Sequence, residues 1–235
     1  MIRISEIKDR ALSVLRGRWG SFVGISFIYF LLMSVGGVFT EVPARIAGTN
    51  LSTGLVILSI VGIAVWLLMV PMAYGYNIAH LNASRMDMPA EVGDLFCGYK
   101  KFWKVLWLII LQGILTGLAA CLFIIPGIIL ALAYSMSMFI LHDNPELTVV
   151  EALRRSREMM RGYKWDLFVM FLSFLGWILL GILTLFIGYL WLVPYMTMSE
   201  YKFYEKILEL RAESDSDGYE GQPDYVEETP QIAEQ

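Results

Sequence analysis

Charge is what this sequence is short of. Only 17% of its 235 residues are Asp, Glu, Lys or Arg, where a soluble domain carries about 25%. Apolar residues make up 57% and the mean hydropathy is +0.60. A soluble globule needs more polar surface than that, so the composition excludes one. It also excludes a disordered or collagen-like chain. Cysteine is nearly absent. Cys97 lies in a basic segment and Cys121 in an apolar run, which leaves no disulfide framework and no four-ligand thiolate metal site. The sequence contains no HExxH, nucleophile elbow, Walker loop or GxGxxG, so no motif-borne hydrolase, nucleotide or dinucleotide chemistry is in view.

What is there is a set of long stretches free of Asp, Glu, Lys and Arg. They run from Trp19 to Thr40, from Ile46 to Ser84, from Val105 to Leu141 and from Leu167 to Ser199. A bilayer span takes about 20 apolar residues. The first stretch fits one span, and the second fits one near Leu55–Tyr76. The third and fourth hold 37 and 33 residues, too many for one straight span and slightly few for two. Each is broken near its middle. Pro126 lacks an N–H and suits a first helical turn, so a new helix is expected to start there. Gly181 and Gly188 permit a turn in the other.

The expected fold is therefore all-α and integral to a membrane: six transmembrane helices as three hairpins, each preceded by a cytoplasmic amphipathic helix. The helices are placed at about 20–40, 55–78, 104–124, 126–142, 166–185 and 188–206, within a membrane domain of residues 1–211. The last two pairs cross fully, or dip in and return to the same face. Residues 212–235 form a cytoplasmic tail that carries eight acids and no base from Glu213 onward. With few apolar residues it is expected to be disordered.

Orientation follows from the cations. Seventeen of the 18 Lys and Arg residues fall on one side of this plan, and only Arg45 falls on the other. The positive-inside rule puts both termini in the cytoplasm. The first apolar run is longer than the core of a signal peptide, residue 2 is Ile, and no cysteine lies near the C-terminus; neither cleavage nor lipidation is expected. Asn50-Leu51-Ser52 is a sequon on the outer side, of consequence only in a eukaryotic secretory membrane.

Three segments share one plan: an amphipathic basic stretch, a tryptophan (Trp19, Trp103, Trp165), then a helix pair whose second member carries a tyrosine (Tyr74, Tyr134, Tyr195). A threefold repeat is one reading of this, and chance matching of apolar sequences the other. The basic stretches read as surface helices at the headgroup level. Their stripes are Ile4, Ile7, Ala11 and Val14/Leu15; then Val92, Leu95/Phe96, Tyr99 and Phe102/Trp103; then Val149, Ala152/Leu153, Ser156, Met160 and Tyr163. For the third, Asn144 is the expected N-cap, followed by Pro145 and Glu146.

Each residue with chemical potential has a plainer reading beside it. Gln112 makes an interhelical hydrogen bond or touches a substrate. Glu200 and Asp166, near cytoplasmic helix ends, pair with Lys202 and Lys164 or sit at the interface. His80 and His142 cap helices or, with Asp143, hold a metal. Met136, Met138, Met159 and Met160 pack, or offer thioethers to copper. Gly113 and Gly117 form a weak GxxxG packing face. Arg154, Arg155, Arg157, Arg161 and Lys164 are candidates for contact with anionic lipid. No catalytic, cofactor-binding or metal-ligating residue is assigned, and no cofactor is expected.

Residues Asp94 to Tyr204 resemble a bacterial family of multi-pass membrane proteins known as domain of unknown function 975. The pieces are Asp94-Leu95-Phe96 with Gly98-Tyr99-Lys100, then Ile125-Pro126-Gly127-Ile128, Tyr134-Ser135-Met136, and Ala152 with Ser156 and Met159-Met160-Arg161-Gly162-Tyr163-Lys164. Phe174-Leu175-Gly176-Trp177, Pro194-Tyr195 and Phe203-Tyr204 complete them. With the start that ends at Trp19, the likeness covers roughly residues 4–208. A distant likeness is to the membrane domain of some glycerophosphodiester phosphodiesterases, whose catalytic barrel is absent here. The resemblance implies a bacterial inner-membrane protein and supplies no reaction. The expected role is non-enzymatic organisation of lipid or partner proteins, by itself or as a homo-oligomer, without nucleic acid. The alternatives are a small-molecule or lipid transporter or permease subunit, and an intramembrane lipid-modifying enzyme.

Overall fold

The computed structural model describes residues 2–46, 53–184 and 186–220. Every regular element in that range is helical. In chain order they are α1 (Ile4–Leu15), α2 (Trp19–Ile46), α3 (Thr53–Arg85), a 3-10 segment (Val92–Lys101), α4 (Phe102–Leu122), α5 (Ile124–Tyr134), α6 (Ser137–Asp143), α7 (Val149–Met159), α8 (Lys164–Leu172), α9 (Leu175–Leu183) and α10 (Tyr189–Glu220). Among the described residues four helical stretches are long and apolar enough to cross a membrane: Gly62–Arg85, Val92–Leu122, Ile124–Asp143 and Lys164–Leu183. Trp19–Ser34 is a shorter apolar helix. Helix α4 alone, with 21 residues, rises about 31 Å, close to the roughly 30 Å of a hydrocarbon core.

Local chemistry explains the breaks. The chain turns extended at Phe123 (φ −154°, ψ 136°), so α5 begins at Ile124 and not at Pro126. Proline belongs to the first turn but does not have to open it, because several early N–H groups are unpaired in any helix. Gly127 lets α5 fold back tightly: a methyl group there would lie 2.6 Å from the Ala120 side chain. The interruption between α5 and α6 carries two serines whose hydroxyls donate to carbonyls of the preceding turn, Ser135 to Leu132 and Ser137 to Tyr134. Ser173, between α8 and α9, does the same to Met170. Such local bonds compete with the helical ladder.

The expected start of the third amphipathic helix is corrected. Asn144 does not cap it; Asn144 ends α6, with its Nδ2 donating to the Ile140 carbonyl. The cap is Thr148, in a reciprocal capping box with Glu151. That box satisfies two N–H groups at once, which a lone asparagine does not. The second amphipathic stretch is a 3-10 segment rather than an α-helix.

Burial is uneven along the bundle. The core lies where the basic segments gather, built from Ile7, Ala11 and Leu15 of α1, Phe22 and Ile25 of α2, Ile78 to Leu81 of α3, Phe139 to Leu141 of α6 and Tyr201 to Tyr204 of α10. At the opposite end large apolar side chains stand uncovered: Leu122, Phe123, Ile124 and Ile125 around the α4–α5 turn, and Leu183, Phe186 and Ile187 around the α9–α10 turn. A water-soluble monomer does not expose so continuous an apolar surface. These long apolar helices fit a membrane protein.

The amphipathic segments are corrected in one respect. The apolar stripes of α1 and α7 face protein, not acyl chains; of the second stripe Leu95 does so, while Val92, Phe96 and Trp103 stay exposed. Ile7, Ala11, Leu15, Leu95, Ala152 and Met160 are all fully buried, and α1 packs on α10, the 3-10 segment on α3, and α7 on α4, α5 and α6. The acidic residues 212–220, assigned above to a tail, continue α10 as helix to Glu220. The rest of that tail and the Asn50 sequon lie outside the described residues.

Candidate functional site

The order amphipathic segment, tryptophan, helix pair recurs three times in the element sequence: α1 before α2 and α3, the 3-10 segment before α4 and α5–α6, α7 before α8–α9 and α10. Trp19 opens α2, and Trp103 and Trp165 each hold the second position of their helix. The C-terminal ends of α3 and α6 meet the middle of α10 in one polar layer. Arg85 of α3 grips Asp143 of α6 with Nη1 to Oδ1 at 2.6 Å and Nη2 to Oδ2 at 2.9 Å. Its Nε donates to the Tyr201 hydroxyl at 3.0 Å, and the Tyr204 hydroxyl donates to Asp143 at 2.8 Å. Tyr201 in turn donates to Glu205, which also pairs with Lys202 at 2.6 Å. Nothing in the sequence linked Arg85 to Asp143 or to Tyr201, which stand 58 and 116 positions from it.

Several candidates find other partners than expected. Asp166 is buried and accepts from the backbone N–H of Ile2 at 3.3 Å, not from Lys164. Lys202 pairs with Glu205 instead of Glu200, since residues two apart point to different faces of a helix. His142 sits 3.4 Å from the Tyr74 hydroxyl, while its neighbour Asp143 is taken by Arg85 and Tyr204. His80 is fully buried between the rings of Phe22 and Tyr76, with Nδ1 against the Tyr76 carbonyl. Among the described residues no three metal-ligating side chains gather. Met136 and Met160 are fully buried in the core. The glycines Gly113 and Gly117 do not pack on a helix: a methyl group on either would meet nothing within 4 Å. Gln112 does make the interhelical bond, accepting from Ser137 at 3.1 Å.

The basic residues gather on one surface. Arg154 and Arg157 project from α7, Arg161 follows in the turn made by Gly162 (φ +92°), and Lys164 opens α8. A spacing of three residues puts Arg154 and Arg157 on a common side of α7, with Arg155 beside them and Arg161 in the turn just beyond the helix. The four arginines are exposed, and none lies within ion-pair distance of a carboxylate among the described residues. Glu151 is the acid nearest in sequence to Arg154. Its carboxylate accepts from the Thr148 backbone N–H and hydroxyl at 2.9 and 2.8 Å, and these bonds hold it below the usual glutamate range. Trp165, 62% exposed, adjoins the basic surface.

A second feature is a cavity of about 470 Å³ between α3, α4, α5–α6, α8 and α10. Ile128, Leu132, Met138, Phe139, Phe168 and Phe171 give it apolar walls; Asn77, Gln112, Ser135 and Glu200 give it polar points. Sequence reasoning placed Gln112 and Glu200 apart, and only the folding of α10 across the bundle brings them to one space.

Residues 119–211 match a protein family described as "Protein of unknown function (DUF975)". It is the family that the motifs above resemble. The match runs from the last turn of α4 into α10, and the structure gives its motifs packing roles. Phe174 meets Tyr195 edge-on with ring centres 5.1 Å apart, the Ser156 hydroxyl donates to the Ala133 carbonyl at 2.9 Å, and Phe203 and Tyr204 are buried. No curated protein and no solved structure matches the chain.

Proposed function

We infer that the protein is a multi-pass protein of the bacterial cytoplasmic membrane that holds anionic lipid at its cytoplasmic face and performs no chemistry of its own. Six segments, α2, α3, α4, α5–α6, α8–α9 and α10, cross as three hairpins with both termini inside. The one-sided placement of the cations supports this orientation, as does the concentration of polar contacts at the basic end and bare apolar side chains at the other.

The observation that carries the lipid role is the state of Arg154, Arg155, Arg157 and Arg161. Helix α7 spends its apolar stripe on the protein core, so its basic side is held outward at a fixed place rather than floating on the bilayer. Phosphate groups of anionic lipid are the counter-charge at that depth, each cation contributing about 1 kcal/mol. Purified protein in nanodiscs tests it. Capture of fluorescent phosphatidylglycerol is expected to weaken roughly a hundredfold in the Arg154→Gln, Arg157→Gln, Arg161→Gln triple variant. Equal capture by both proteins, or equal capture of phosphatidylcholine, refutes the lipid role. A periplasm-dependent reporter at the C-terminus is expected to stay inactive.

A small-molecule or lipid permease subunit is the second reading, and the cavity beside Glu200 favours it. An intramembrane enzyme has less support: among the described residues neither histidine is hydrogen-bonded to a serine or cysteine.

A further inference from the structure

We propose that the cavity beside Glu200 binds a lipophilic monovalent cation, an organic ammonium-type ion with an apolar body. The argument starts from Glu200. Glu200 directly precedes Tyr201, whose hydroxyl accepts from Arg85 in the polar layer, and lies at the wall of the cavity. It makes no hydrogen bond or ion pair among the described residues. A carboxylate on a mostly apolar wall with no protein partner is costly, and a cationic ligand offsets that cost.

The walls specify the partner. No lysine or arginine lines the cavity, so an anionic or phosphate-bearing ligand has nothing to pair with, and a phospholipid headgroup is disfavoured. Three phenylalanines, Phe139, Phe168 and Phe171, line the same cavity as the acid. Ring faces attract a desolvated cation and bury its apolar groups at the same time. Asn77 offers a further carbonyl oxygen: its amide nitrogen is tied to the Ala73 carbonyl, which leaves its oxygen for the cavity. A volume of about 470 Å³ falls within the range of small-molecule sites, about 300–1,000 Å³.

The probe is tetraphenylphosphonium, measured by equilibrium dialysis against the full chain in phosphatidylcholine nanodiscs, with empty nanodiscs as blank. One saturable site per chain is expected. Tetraphenylborate, of the same shape and opposite charge, is expected not to displace the probe. Glu200→Gln is expected to weaken binding about tenfold or more, the loss typical of removing one member of a desolvated charge pair, and Glu200→Asp to retain most of it. Phe168→Leu keeps the wall apolar but removes a ring, and is expected to weaken binding several-fold; it carries the test should Glu200→Gln not give a monodisperse protein. Binding no greater than in empty nanodiscs, displacement by the borate, or affinity unchanged in these variants overturns the proposal. The basic surface on α7 takes no part in this test, so its lipid role stands or falls separately.

Discussion

Arg85 and Asp143 face each other fork to fork, with paired contacts of 2.6 and 2.9 Å, and they tie the end of α3 to the end of α6 across 58 residues of chain. The Tyr204 hydroxyl closes the third side of the carboxylate. Planar two-point pairing of this kind is stronger and more directional than a single contact. The guanidinium is still 37% exposed and the carboxylate 19%, so solvent screens part of the attraction. Asp143→Ala is expected to lower the stability of the detergent-solubilised protein by about 2 kcal/mol, since it strips the ionic partner from Arg85 and the acceptor from Tyr204 together. Asp143→Asn, which retains an acceptor, is expected to cost less. Thermal unfolding followed by size-exclusion chromatography measures both, and equal midpoints for Asp143→Ala and the parent would refute the role.

Gly75 gives a second test. The 3-10 segment lies so close to α3 that a methyl group on Gly75 would overlap the Leu95 carbonyl, and one on Gly98 would overlap the Pro71 carbonyl. The Tyr99 hydroxyl secures the same contact by donating to Leu68 at 2.6 Å, near Pro71, where the ladder of α3 lacks a donor. Gly75→Ala is expected to cost about 1–3 kcal/mol through overpacking against backbone that has nowhere to go. Gly93→Ala, in the same segment but with open space around it, is expected to stay within about 0.5 kcal/mol of the parent. Similar losses for the two would mean that the close approach is not what matters.

Helix α1 allows two effects to be ranked. It is joined to α10 by the Arg10–Glu209 pair at 3.1 Å, with side chains 39% and 45% exposed, and by burial of Ile7, Ala11 and Leu15. Exposed pairs contribute at most about 1 kcal/mol, whereas truncating a buried isoleucine to alanine costs about 2–5 kcal/mol. Ile7→Ala is therefore expected to release α1 to limited proteolysis, and Arg10→Ala to leave it docked. The reverse order would show that α1 is held by charge.

The capping box of α7 predicts a pH dependence. Hydrogen bonds from the Thr148 backbone and hydroxyl keep the Glu151 carboxyl below its ordinary value of 4.5. A depressed acid stabilises the folded state fully above that ordinary value, and the contribution is lost as pH falls through the lower folded value. The gap in thermal midpoint between the parent and Glu151→Gln is expected to be widest at neutral pH and to close below pH 4.5. A gap that widens on acidification would contradict the assignment.

The apolar segments and their breaks were legible in the sequence because hydropathy and the absence of charge are local properties. The α4–α5 break misplaced by two residues, at Pro126 instead of Ile124, shows the limit: sequence marks the turn but not which orphan N–H groups the helix leaves open. The error at Asn144 has the same origin. Two caps four residues apart both suit a helix start, and the one with a reciprocal partner in Glu151 prevailed. The stripes of α1, the 3-10 segment and α7 were read correctly as apolar faces. On α1 and α7 protein rather than lipid covers them, which the sequence missed because periodicity reports that a face is apolar, not what covers it; Val92 and Phe96 of the 3-10 segment stay exposed.

By itself the sequence determined that long charge-free helices form, fit for a membrane, and that its cations cluster between them, since both follow from the cost of placing charge in hydrocarbon, residue by residue. Only the tertiary structure decided which apolar faces meet protein, that Arg85, Asp143 and Tyr204 share one layer, and that Glu200 looks into a cavity rather than at Lys202. Those outcomes depend on the meeting of helices distant in the chain, where packing and the pairing of polar groups choose among partners that no local pattern distinguishes.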